Sequence, residues 1–182
     1  TAADVRATHA ALGKGDGSDG PNSHYVLAWM TTNSVTLQRT DLYPAPAAEA
    51  RLAVRKHIVA PTGVAQYAGC NHGAPAVPSC VDVLPSGALP TLPPVASKVS
   101  DITAFGYWSV YEPFTNGAYF LGELSKFVHV SPQRFTYVRA GRSGACGLRV
   151  GVRGSAGEEL RLVAIDMTGI VHIANITIPS TG

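Results

Sequence analysis

The sequence predicts an all-β fold of antiparallel strands, and three observations carry that prediction. The last third of the chain divides into four short strands on glycine turns: Phe135–Arg139, Leu148–Arg153, Glu159–Ile165 and Ile170–Ile178. In the second of these, Leu148, Val150 and Val152 face one way while Arg149 and Arg153 face the other, the period-2 pattern of a half-buried strand. The middle of the chain holds Pro61, Pro75, Pro78, Pro85, Pro90, Pro93 and Pro94, which exclude a long helix and any central strand through those points. Strand character then returns from Ile102 to Tyr111, where Phe105, Tyr107, Trp108 and Tyr111 supply large aromatic area.

Taken in order, residues 1–23 are polar and glycine-rich, and Gly13–Gly20 is too flexible for a helix or strand, so a flexible N-terminal arm is expected there. Residues 24–182 are expected to form a single β-rich domain. Its first elements are His24–Met30 and Ser34–Gln38, which the Thr31-Thr32-Asn33 spacing suggests as a hairpin. Residues 47–59 fit two periods: a helix with Pro46 near its first turn, or a strand with Leu52, Val54 and Ile58 on one face and Arg51, Arg55 and His57 on the other. The strand is favoured. A proline-rich loop region at 61–94 follows, with short edge strands at Val64–Ala68 and Cys80–Leu84. Residues 118–130 continue the strand character, although Gly122–Phe127 also fits one helical turn. The Gly154-Ser155-Ala156-Gly157 and Met167-Thr168-Gly169 connections suit antiparallel neighbours. The architecture favoured is an antiparallel β-sandwich, jelly-roll or Greek-key in kind, with long loops and little helix, or else a β-barrel.

Charged residues make up only 14% of the chain, and the surface is correspondingly poor in solvating charge. Such a surface suits packing against copies of the chain or other subunits. The net charge is +2 and the 14 basic residues are scattered, so the clustered cations that phosphate contacts need are missing and direct nucleic-acid binding is not expected. The longest uncharged apolar run, Tyr25–Met30, is far too short to span a bilayer as a helix. The start at Thr1 leads us to expect a processed product or a fragment. Three cysteines, an odd number, argue against a full disulfide framework and favour a reducing compartment. The sequon Asn175-Ile176-Thr177 falls inside a strand and is read as chance.

The sharpest local motif is Gly141-Arg142-Ser143-Gly144-Ala145-Cys146-Gly147. It resembles the nucleophile turn of chymotrypsin-like β-barrel endopeptidases, in which backbone N–H groups beside the nucleophile form an oxyanion hole. That resemblance implies Cys146 or Ser143 as nucleophile and His72, His24 or His57 as base, with Asp82 or Asp101 to orient it. A plain tight turn, with Ser143 bonding its own backbone and Cys146 as a small buried residue, accounts for the same residues. Cys70, His72 and Cys80 do not have the paired spacing of a zinc site, so neither metal nor cofactor is expected. The aromatic group from Phe105 to Phe114 reads as core or, alternatively, as the stacking platform of a carbohydrate-binding β-sandwich. His129 and His172 alternate with apolar residues as if pointing outward from strands, and with Arg149, Arg153 and Arg161 they make up a candidate interface.

Two further segments, Ala118-Tyr119-Phe120-Leu121-Gly122-Glu123 and Phe135-Thr136-Tyr137-Val138-Arg139-Ala140-Gly141, resemble the Gly-Glu and aromatic-Arg-Gly strand segments of picorna-like virus capsid proteins. The resemblance spans about 25 residues, is spaced more tightly than in that family, and leaves little chain for the remaining jelly-roll strands. It implies a virion structural protein, a projecting or accessory capsid domain, acting by self-assembly and surface display. Its partners would be copies of itself, other capsid subunits and a host receptor or glycan.

Overall fold

A computed structural model describes residues 4–11, 21–29, 33–59, 65–66, 81–92, 94, 105–123, 126, 128–141 and 147–180. The described residues are all-β, as expected, and their only helical element is a single 3-10 turn at Arg39–Asp41. The strands are β1 (Asp4–Ala11), β2 (Asn22–Trp29), β3 (Val35–Thr36), β4 (Ala53–Val59), β5 (Ala65–Gln66), β6 (Val81–Val83), β7 (Thr91–Leu92), β8 (Phe105–Tyr111), β9 (Tyr119–Glu123), β10 (Phe135–Ala140), β11 (Leu148–Val152), β12 (Glu159–Ile165) and β13 (Val171–Thr177). The chain divides into two compact units, one made of Thr1–His9, His24–Ala74 and Pro78–Val110, the other of Ala10–Ser23, Pro75–Val77 and Tyr111–Gly182.

The first unit is built on a sheet of order β1-β2-β8-β4-β5, with β6 also pairing β4. Its core gathers Val26, Ala28, Leu37, Leu42, Leu52, Leu92, Trp108 and Val110. Tyr25 stacks on Tyr107 with ring centroids 6.2 Å apart. Glycine is required at 106, because a Cβ there would collide with the Trp108 indole. The proline-rich connections are tied down by Arg39, whose guanidinium donates to the carbonyls of Pro46 (3.1 Å), Ala47 (2.5 Å) and Ala48 (2.7 Å). One arginine thus satisfies loop carbonyls that no ladder reaches.

Three expectations need correction here. Residues 4–11 belong to a strand rather than to a flexible arm: Val5 and Ala7 alternate with Arg6 and Thr8, and β1 pairs with β2. The segment after β2 does not fold back on it as a hairpin. Instead β3 pairs antiparallel with β7, matching Val35 to Leu92 and Thr36 to Thr91, and the two threonine hydroxyls meet at 3.0 Å. Residues 47–59 are extended only from Ala53, and Arg55 is buried in β4 beside exposed Lys56. The expected edge strands at 64–68 and 80–84 are present as β5 and β6, both antiparallel to β4.

The second unit contains the four strands that alternation marks most clearly. β10 and β11 form an antiparallel pair, and β12 lies between β13 and β9 in a three-stranded antiparallel sheet. The Met167–Gly169 connection joins antiparallel neighbours as expected, with Gly169 at φ +89°. The 154–157 connection does not: β11 pairs with β10, and β12 pairs with β13 and β9. Turn length sets which geometries are allowed and leaves the choice of partner to burial, and β12 has the more buried pattern, with Leu160, Leu162, Val163 and Ile165 all inside. All five residues of β9 are buried, and Phe120 meets Phe135 edge-on with centroids 5.0 Å apart.

Candidate interaction surface and charged groove

The hairpin of β12 and β13 runs in unbroken register from Glu159↔Thr177 to Ile165↔Val171. Its turn is organised by Asp166, which is buried. The Oδ1 atom accepts hydrogen bonds from Thr168 N (2.8 Å), Thr168 Oγ1 (2.6 Å) and Ile170 N (2.9 Å), while Oδ2 lies 2.9 Å from His172 Nε2. A carboxylate buried at this position is tolerated because both of its oxygens are hydrogen-bonded. The Asp-Met-Thr-Gly order is the sequence signal for such a side-chain-closed turn.

Next to this turn, β13 is an edge strand open on both faces. Residues His172–Asn175 and Thr177 are exposed, whereas the paired β12 is largely buried. The backbone bonds from Asp166 N to Ile170 O and from Ile178 N to Glu158 O bracket the ladder. With the register fixed, His172, Ala174 and Ile176 therefore direct their N–H and C=O groups to β12. Val171, Ile173, Asn175 and Thr177 direct theirs outward, where they meet no partner among the described residues. Exposed Met167, Ile170 and Ile173 add apolar surface along the same hairpin.

A second cluster lines an open groove of about 950 Å³ in the same unit. Arg134 grips Glu158 with both guanidinium nitrogens, at 2.9 and 2.5 Å, and also donates to the Arg153 carbonyl at 2.9 Å. Its Nε lies 3.4 Å from the buried Glu123 carboxylate, which Lys126 approaches to 3.8 Å. The Arg134 hydrogen bond, reinforced by the N–H of Ser155, lowers the Glu158 carboxyl from 4.5 to about 2. The same bond raises the Arg134 guanidinium above its ordinary value. Within this cluster the charges satisfy one another: Arg134 stitches the start of β10 to the end of β11, the 154–158 turn and the end of β9. The groove is best described as a structural clamp.

The sequence-level candidates divide on this framework. His172 lies on the open strand, held by Asp166. His129 does not point outward: it is fully buried in a bend, not in a strand, with Nδ1 3.3 Å from the Glu123 carbonyl. Arg149 in β11 and Arg153 just beyond it are exposed, and Arg149 stands directly opposite Arg139 of β10, whose guanidinium lies 5.1 Å above the Tyr137 ring. Arg161 lies in the other sheet, half-buried in β12. Of the five, His129 and Arg153 line the charged groove, Arg149 lies in β11, and Arg161 and His172 lie in β12 and β13. Ser143, Cys146, His72, Cys70 and Cys80 lie outside the described residues. Tyr107, Trp108, Tyr111 and Phe114 are all buried, so they form core and offer no stacking platform. Among the described residues, no helix is long and apolar enough to cross a membrane. The chain matches no family model, no curated protein and no solved structure.

Proposed function

We propose that this chain is a structural subunit that acts by assembling, in the setting of a virion: a capsid or capsid-projection protein. The observation that supports this reading is β13, a seven-residue strand at the edge of its sheet, open on both faces and apolar, whose only ionisable side chain is His172. Monomeric proteins blunt such edges with charge, proline or a covering segment, because the outward N–H and C=O groups template pairing with another chain. A surface with only 14% charged residues fits the same reading. The virion setting rests on the resemblance of 118–123 and 135–141 to capsid strand segments, and a jelly-roll or Greek-key sandwich is the sheet arrangement this implies. The partners on this reading are copies of the chain, other capsid subunits and a host receptor or glycan, with no direct genome contact. The test is the mass of the native assembly. A ring or particle containing the chain is expected, and a strictly monomeric chain with no parent particle would overturn the proposal.

A further inference from the structure

We propose that two copies of this chain join through β13, antiparallel across a two-fold axis at Ala174, so that two three-stranded sheets become one six-stranded sheet. This rests on the assembly reading above and specifies its contact.

The register of the free edge leads to this geometry. Outward hydrogen-bonding groups belong to Val171, Ile173, Asn175 and Thr177. An antiparallel pair exchanges two backbone bonds only between residues that both point outward. A two-fold axis through Ala174 meets that condition along the whole strand, matching Ile173 to Asn175 and Val171 to Thr177 of the second copy. It leaves Ala174 facing its own copy as a non-hydrogen-bonded pair, the closest spacing in a sheet, about 4.5 Å between Cα atoms. Alanine is small enough for that position.

The side chains complement one another in the same register. On one face, Ile170, the most exposed isoleucine of the hairpin, comes opposite the half-buried Ile178 of the second copy, and His172 comes opposite Ile176. On the other face the two Ile173 side chains become diagonal neighbours, within reach across a sheet. No like charges face each other, because His172 never pairs with its own copy. The contrast with the β10–β11 pair is instructive: there Arg139 and Arg149 stand opposite each other and charge the ladder.

The two edges of the sheet differ. β9 is buried in all five residues, and the N–H of Glu123 is taken by the His129 carbonyl at 3.0 Å. A two-fold contact uses the same edge of both copies, so it is self-complementary and closes at two.

Two cysteine variants and one proline variant of the full chain test this. In Ala174→Cys, mild oxidation is expected to give a covalent dimer whose peptide map contains a disulfide joining the substituted position of one copy to the same position of the other, since the paired Cα separation lies within disulfide reach. In Thr177→Cys the two sulfurs would be about 20 Å apart, six residues of offset, and at least ten-fold less dimer should form. Asn175→Pro removes an outward N–H and no bond to β12, so circular dichroism should be unchanged while dimerisation weakens at least ten-fold. Equal cross-linking of the two cysteine variants, or an Asn175→Pro chain that assembles like the parent, would overturn the two-fold pairing. An assembly that persists under those results would leave the structural-subunit reading intact, with a different contact. A parent chain that is monomeric would remove both.

Discussion

Arg134 and Glu158 are 24 residues apart and share two hydrogen bonds, which makes them a bidentate electrostatic link across the described part of the second unit. The pH dependence follows from the lowered Glu158 carboxyl. A carboxyl held below its unfolded value adds stability that is fully present above about 4.5 and is lost as pH falls through about 2. Urea midpoints measured from pH 6 to pH 2 should therefore fall in the parent chain. In Glu158→Gln they should start lower at pH 6 and fall less steeply; an unchanged slope would contradict the link. Asp166→Ala leaves two turn N–H groups and the Thr168 hydroxyl without their acceptor, and should cost about 2–3 kcal/mol of unfolding free energy by chemical denaturation. The sequence signals these two residues unequally. Asp166 sits in an Asp-X-Thr-Gly turn that is visible locally, whereas Glu158 reads as a solvated hairpin end because nothing near it announces a partner 24 positions away. His129 misleads for a related reason: alternation has meaning only within a strand, and β9 ends at Glu123.

At the scale of elements, the strands of the last third lie where alternation puts them, and β13 pairs with β12 through the turn that glycine spacing suggests. Pairings between distant segments were not legible. β3 with β7 and β9 with β12 join segments separated by long connections, and neither period nor turn chemistry carries that information. The edge position of β13 is of this kind. Its sequence reads as any short apolar strand, and only the sheet order shows that nothing described lies beyond it. One glycine marks a close backbone approach at the end of the opposite edge. Gly122 has φ +79°, and a Cβ there would collide with the His129 carbonyl. Gly122→Ala should therefore lower stability by about 2 kcal/mol or more in denaturant titrations, through backbone strain and displacement of the 129–130 segment. A change below about 0.5 kcal/mol, the scale of a neutral surface substitution, would show that the 129–130 segment does not press on Gly122 in this way.

For the whole molecule, composition and edge geometry point the same way. A chain with 14 basic and 12 acidic residues among 182 keeps little charge for its surface, and its second unit leaves one apolar strand open. The all-β class was legible from proline placement and alternation, whereas the division into two units was not, because the chain contributes separate segments to each. Assembly makes apparent stability depend on concentration, so the melting temperature of the parent chain should rise with protein concentration. In Asn175→Pro that rise should flatten. Sedimentation equilibrium of the purified chain at micromolar concentration reads this self-association directly. A species of at least twice the 19.0 kDa chain mass is expected, and Asn175→Pro should weaken its formation at least ten-fold. A parent chain that sediments at 19.0 kDa at every concentration would contradict that expectation.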